Sequence, residues 1–254
     1  MKEKLYTIPL NDAMNENDEC PFCFLERALF QKTMDFVLGD SSSYMESDMR
    51  DKTDKAGFCR VHTKMMFDYG NSLGNGLILQ THLAKVQEEL HQQMKAYTPS
   101  GKGGLFKKIT AKKTEGENPV AGWARKRDQS CFICDTLAEE FACYVSTFFF
   151  MYKKDEAFRT KAKECKGFCI PHFGVLMKEA EKELSGSQLT DFVTSMDRLM
   201  EENLQRIQEE LTWFVDKFDY RNKDADWGNS RDALQRTMQK LHGGYPADPV
   251  YRHK

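Results

Sequence analysis

Eight side chains in this sequence are spaced to bind metal. Cys20-Pro-Phe-Cys23 is followed by Gly57-Phe-Cys59-Arg-Val-His62, and the pattern returns as Cys131-Phe-Ile-Cys134 and Gly167-Phe-Cys169-Ile-Pro-His172. The cysteine pairs recur 111 residues on and the Cys/His pairs 110 residues on, so a single deletion aligns the two copies. Each copy offers three thiols and an imidazole, a usual structural ligand set for tetrahedral zinc. A lone CxxC reads as two incidental buried thiols, and a lone CxxH as a core cysteine beside a histidine. Their joint recurrence in one order points to ligation. The expected sets are Cys20, Cys23, Cys59 and His62 on one ion and Cys131, Cys134, Cys169 and His172 on a second, giving two zinc ions per chain. Zinc is preferred to an iron–sulfur cluster because histidine is a minority ligand of such clusters.

The elements that must hold these residues read as helices throughout, with no strand. Pro21 and Pro171 suit the first turn of a helix. Each ligand pair therefore opens a helix, where the positive end of the dipole favours the thiolate. In the first half, Leu25 to Leu38 form an apolar-periodic helix, a short polar helix lies around 44–53, the CxxH pair opens a third, and Leu79, Leu83, Val86, Leu90, Met94 and Tyr97 mark a long fourth. The second half repeats the order, with a first helix through Leu137 and Phe149, a polar helix around 155–166, and a long helix from Leu189 to Phe214. The local match of Val86-Gln-Glu-Glu-Leu90 to Ile207-Gln-Glu-Glu-Leu211 lies 121 residues apart. The additional residues are about three helical turns, which lengthen the helix without rotating its apolar face. A last helix spans about Arg231 to Leu241, with Asn229 or Ser230 as its cap.

The expected architecture is all-α: two tandem, pseudo-symmetric four-helix units, each organised around a Cys3His metal site, plus a C-terminal helix. The divisions are 1–97, a basic flexible linker over 98–130, and 131–254. The two units are expected to pack through their long fourth helices and through Phe148-Phe149-Phe150, a cluster too apolar for water.

Composition bounds the rest. The 254 residues carry 37 basic and 39 acidic side chains, so nucleic acid or an anionic surface could be met only by a local patch. The one candidate is the linker, with eight basic against three acidic residues, including Lys107, Lys108, Lys112, Lys113, Arg125, Lys126 and Arg127. It has few aromatics for stacking on bases and reads as solvated. No apolar run reaches the roughly 20 residues of a membrane span, and none of signal-peptide length succeeds the first residues, so the expected location is cytoplasmic. A reducing compartment leaves CxxC pairs free for metal.

Other candidates carry less. Cys143 and Cys165 fall outside the duplicated sets, the first a core residue and the second a partly exposed thiol near Cys169. His82 and His91 read as surface or packing residues. Asn222-x-Asp224-x-Asp226 has the start of a calcium loop, but Gly228 is one position late and Ala233 stands where the bidentate glutamate belongs. No phosphate loop, serine elbow or HExxH segment is present, and four protein ligands close a zinc ion to substrate.

The duplicated sets, the stretch Phe218-Asp-Tyr-Arg-Asn-Lys-Asp-x-Asp-Trp-Gly228 and the helix start Asp232-Ala-Leu-x-Arg236 resemble an uncharacterised bacterial family, domain of unknown function 6062. The resemblance implies a bacterial, cytoplasmic protein with paired CxxC and CxxH sets, and implies no activity. The residues themselves favour a zinc-stabilised helical scaffold that binds a protein partner. A thiol- or zinc-based redox or metal sensor is the alternative, and a metal-dependent enzyme the third.

Overall fold

The computed structural model describes residues 2–39, 43–97 and 118–248, and among these it is helical, with eleven α-helices and no strand. The chain opens with α1 (Lys2–Asn15), which carries Pro9 inside it. The first repeat then gives α2 (Pro21–Leu38), α3 (Ser47–Ala56), α4 (Arg60–Tyr69) and α5 (Ser72–Ala96), in the order expected. After α6 (Pro119–Asp128), the second repeat gives α7 (Phe132–Lys154), α8 (Glu156–Glu164), α9 (Ile170–Glu183) and α10 (Gly186–Asp216), and α11 (Ala233–His242) comes last.

Two helices, α1 and α6, lie beyond the expected set. The segment predicted as flexible linker is in part α6, whose start is fixed by Asn118: its side chain accepts from the N–H groups of Val120 and Ala121, and Pro119 occupies the first turn. The linker's remaining positions 98–117 lie outside the described residues. The last helix is capped at Asp232 rather than Asn229 or Ser230, which form a short 3-10 turn with Gly228.

Neither compact unit coincides with a sequence repeat. Among the described residues, one lies within Met1–Gln31 and 137–248, the other within Lys32–Thr136. Both α2 and α7 are long enough to begin in one unit and end in the other.

In the first unit, Leu10 and Ala13 of α1, Phe22 and Leu25 of α2, Phe158 of α8, Phe168, Leu176 of α9 and Phe192 of α10 close a core around Phe148 and Phe149 of α7. Phe148 meets Phe158 edge-on at 5.5 Å between centroids, and Phe149 meets Phe192 at 5.5 Å. These two phenylalanines therefore serve one unit's own core, not a junction between units as the sequence suggested. Their apolar run is satisfied by α8 and α10, which return over the same face of α7.

In the second unit, Met34, Val37 and Leu38 at the end of α2 are buried, as are Met49 of α3, Met66 and Tyr69 of α4 and Ile78 of α5. The Tyr69 hydroxyl donates to Asp35 at 2.7 Å. Asn71 accepts from Gly74 N–H and donates to the Leu38 carbonyl, fixing where α5 begins.

Candidate metal centres

All eight predicted ligands lie at helix starts. Cys59 and Cys169 are the capping residues of α4 and α9, with extended backbone, and the Cys20 and Cys131 carbonyls accept the first helical bonds of α2 and α7. Cys23, His62, Cys134 and His172 each come three residues later and so point back over the same turn. Gly57 and Gly167 precede the Cys/His pairs at φ of 67° and 78°, a left-handed conformation that a side chain would strain. The reversal turns the Gly57 carbonyl towards α7, where it accepts from Phe132 N–H at 2.9 Å, beside Cys131.

The pairing differs from the expected one. In the first unit Cys20 and Cys23 join Cys169 and His172; in the second, Cys59 and His62 join Cys131 and Cys134. Each set is still Cys3His, and its four donor atoms lie within 4.8 Å of one another, but the CxxC of each repeat meets the CxxH of the other. The reason is the helix that each CxxC begins. It runs out of its own unit, and the next CxxH is made in the unit where the helix ends.

In the first centre the thiols of Cys20, Cys23 and Cys169 stand 3.4, 3.6 and 3.1 Å from His172 Nδ1, and Cys23 is 3.7 Å from Cys169. In the second, Cys59, Cys131 and Cys134 each stand 3.3 Å from His62 Nδ1, and Cys59 is 3.9 Å from Cys134. Donors about 2.1–2.3 Å from one ion at tetrahedral angles are about 3.5–3.8 Å apart, so both sets have the spread that a tetrahedral metal needs. Each centre could hold a metal ion.

The surroundings of the two centres differ. All four ligands of the first are buried. His172 turns Nε2 towards Glu26 at 3.2 Å and stacks on Phe141 at 5.0 Å, a carboxylate support typical of ligating histidines. Burial by itself would hold down the His172 pKa, yet Cys169, Cys20, Cys23 and Glu26 push it far above the ordinary value, a field that favours positive charge at this point. In the second centre His62 and Cys131 are buried, Cys59 is half-buried and Cys134 is exposed. Burial lowers the His62 pKa, which keeps its ring neutral, the form that ligates. Burial works to raise the Cys59 pKa, but the N–H groups of His62 and Val61 and the neighbouring thiols outweigh it and bring it below its usual value. Cys134 is pushed up to about 12 by desolvation and by Cys131 and Cys59. Thiols crowded in this way give up a first proton readily and resist giving up the rest until a cation offsets them.

One basic side chain clamps each centre from behind. Buried Lys240 of α11 donates to the carbonyls of Glu19 and Lys166, just before Cys20 and just before Gly167, so it ties together the two segments that supply the first centre. Glu19 is itself buried and is met by Arg206 at 2.6 Å, Arg236 at 3.4 Å and Lys240 at 3.4 Å. Burial works to raise the Glu19 pKa, but these cations hold its carboxyl below the ordinary range. Arg127 of α6 does the corresponding work in the second centre, donating to the carbonyls of Asp54 and Lys55 just before Gly57, with Glu89 2.8 Å from its guanidinium. Just after α11, a side chain added at Gly243 would meet the Cys23 and Cys169 thiols. Lys240 and Arg127 were not legible as site residues, because lysine or arginine in a polar helix usually reads as surface.

Of the other candidates, His82 reaches the Asp54 carbonyl with Nδ1 at 3.2 Å and packs its ring beside Phe58, while His91 is exposed. Cys165 lies outside the first centre, bonded to the Ala162 and Gly167 carbonyls, and burial pushes its thiol up to about 11. Cys143 is half-buried. The Asn222 to Asp226 loop wraps a cation that the chain itself supplies: Lys217 donates to the carbonyls of Asn222, Lys223 and Ala225, under the Trp227 ring. The loop's inward carbonyls are therefore occupied by an ammonium group of the chain itself.

A model of a family of unknown function (DUF6062) matches residues 1–248. The chain belongs to that family. No curated protein and no solved structure matches it. The stretches Phe218 to Gly228 and Asp232 to Arg236 form the Lys217 loop and part of the charge cluster that braces Glu19 beside Cys20.

Proposed function

We propose that this family member is a helical scaffold held in shape by two zinc ions, and that it serves to bind a protein partner. The observation that carries the reading is the exchange of ligand pairs. Each ion would join ligands 69 to 152 residues apart at the starts of separate helices, so its binding energy would stabilise tertiary structure directly. Three thiolates and an imidazole favour zinc among the common metals, and four protein ligands complete its coordination. All eight cysteines are free thiols, which suits a reducing compartment such as the cytoplasm. No helix among the described residues is long and apolar enough to cross a membrane.

For the partner, two apolar features support the reading. Leu79, Leu83, Leu90 and Met94 are exposed along α5, and a cavity of about 290 Å3 opens between α7 and α9, lined by Phe141, Val145, Phe149 and Val175. Elemental analysis of protein purified without an affinity tag should give two zinc ions per chain. Protein that carries no zinc and melts at the same temperature with or without added zinc would refute the scaffold reading. The sensor alternative draws on one observation, the exposure of Cys134.

A further inference from the structure

We infer that the second centre is a thiol-oxidation site, at which a peroxide converts Cys134 and Cys59 to a disulfide and expels the metal, while the first centre keeps its own. The inference rests on the reading that both centres hold metal. It starts from an asymmetry that the sequence repeat conceals. Ligand chemistry is the same in both centres, so their reactivity must be governed by access.

Access differs at every position that matters. Cys20, Cys23, Cys169 and His172 are all buried. In the second centre Cys134 is exposed and Cys59 half-buried, while Cys131 and His62 are closed off beneath them. A peroxide can therefore reach Cys134 first. Oxidation of a thiolate tracks its exposure and is reversible where a second thiol stands close enough to resolve it. Cys59 is that thiol. Its sulfur is 3.9 Å from that of Cys134, and rotation of two side chains in the first turns of α4 and α7 closes this to the roughly 2.05 Å of a disulfide.

The chemistry balances with one peroxide. Cys134, which the bound ion would hold as a thiolate, attacks a peroxide oxygen, the O–O bond breaks, and hydroxide leaves and takes a proton to become water. The Cys59 thiolate then attacks sulfur of the resulting sulfenic acid, the S–O bond breaks, and the second hydroxide leaves as water. Two thiolates have lost two electrons between them, and hydrogen peroxide has been reduced to two waters. The ion is left with Cys131 and His62, two ligands of its four, and dissociates. A dithiol reductant and fresh metal restore the site.

The test uses the full-length protein with its metal content measured beforehand. Sub-stoichiometric to equimolar hydrogen peroxide is added, released metal is monitored with a chromogenic chelator, and disulfides are mapped by mass spectrometry. The expected result is one ion per chain released roughly tenfold faster than the other, a Cys59–Cys134 cross-link in step with it, and recovery with dithiothreitol and zinc. Iodoacetamide labelling of untreated protein should modify Cys134 ahead of the other seven cysteines, a readout that needs no variant to fold. Simultaneous loss of both ions, or first modification at Cys20, Cys23 or Cys169, overturns the inference and leaves the scaffold reading standing. A Cys131–Cys134 cross-link overturns Cys59 as the resolving thiol. Protein that binds no metal at all defeats the scaffold reading and this inference together.

Discussion

The Cys20 sulfur lies 3.4 Å from His172 Nδ1, although 152 residues separate them in the chain. Both belong to one four-donor centre, and the nearer histidine of the same pattern, His62, belongs to the other. Proximity in sequence would have paired Cys20 with His62, but the two residues lie in different units.

Double substitutions distinguish the two pairings by counting ions. With exchanged pairs, Cys23→Ser with Cys169→Ser damages a single centre, and native mass spectrometry should find one ion retained. Cys23→Ser with Cys59→Ser damages both centres and should leave none. Pairing within each repeat predicts the reverse, so the two variants decide between the arrangements without reference to any activity.

Metal removal should loosen both units. Apparent binding free energies of about 10–16 kcal/mol for structural zinc exceed the net stability of an ordinary domain. Dialysis against a strong chelator should therefore lower the melting temperature and the helical circular dichroism signal together. A metal-free protein that melts where the loaded one does would remove the structural role.

The Lys240 clamp should matter more than its place on a polar helix suggests. Lys240→Met keeps the length of the side chain but leaves the Glu19 and Lys166 carbonyls without their donor and removes one of the cations facing buried Glu19. The expected cost is about 2–3 kcal/mol in urea unfolding of the loaded protein, with faster loss of the first centre's metal to a chelator. A change within about 0.5 kcal/mol would mean that Arg206 and Arg236 suffice.

A pH effect is expected from Glu89, which accepts from Trp123 and Arg127 and so secures α6. Desolvation works against its charge, but those donors prevail and hold its carboxyl below the ordinary value of 4.5. Because the folded pKa is the lower one, the stabilisation is present above pH 4.5 and is lost as pH falls through the folded value. Glu89→Gln should cost up to about 1 kcal/mol at about pH 7, and its difference from the parent protein should shrink below about pH 4.5. Taking the difference at each pH cancels the acid loss of metal common to both. A gap that stays constant down to about pH 3 would show that the charge on Glu89 contributes nothing.

Helix starts were the most legible feature of the sequence, because Pro21 and Pro171 and the glycines before each Cys/His pair are local signals that read the same in any context. That these eight side chains belong to clusters was legible for the same reason. Their partition was not, since either pairing yields two Cys3His sets and the decision depends on how far α2 and α7 extend. The α1 helix escaped notice because Pro9 interrupts its pattern. The α6 helix did so because its capping Asn118 and Pro119 come just after a stretch, 101–116, rich in lysine and glycine. Phe148 and Phe149 illustrate a third kind of miss. Their burial was evident, but which elements would cover them depended on the return path of α8 and α10.

The exchange of ligand pairs would also set an order on biosynthesis if both clusters take up metal. As the chain leaves the ribosome, Cys20 and Cys23 emerge first, and Cys59 and His62 come next as a nearby but incorrect pair of donors. Their correct partners, Cys169 and His172, appear about 150 residues later, a delay on the order of ten seconds at ordinary translation rates. The second centre can close once Cys134 is out, and doing so takes Cys59 and His62 out of competition. The earliest thiols of the chain are thus the last to be matched, and a nascent chain supplied with metal too soon has a short loop available in which to trap it wrongly.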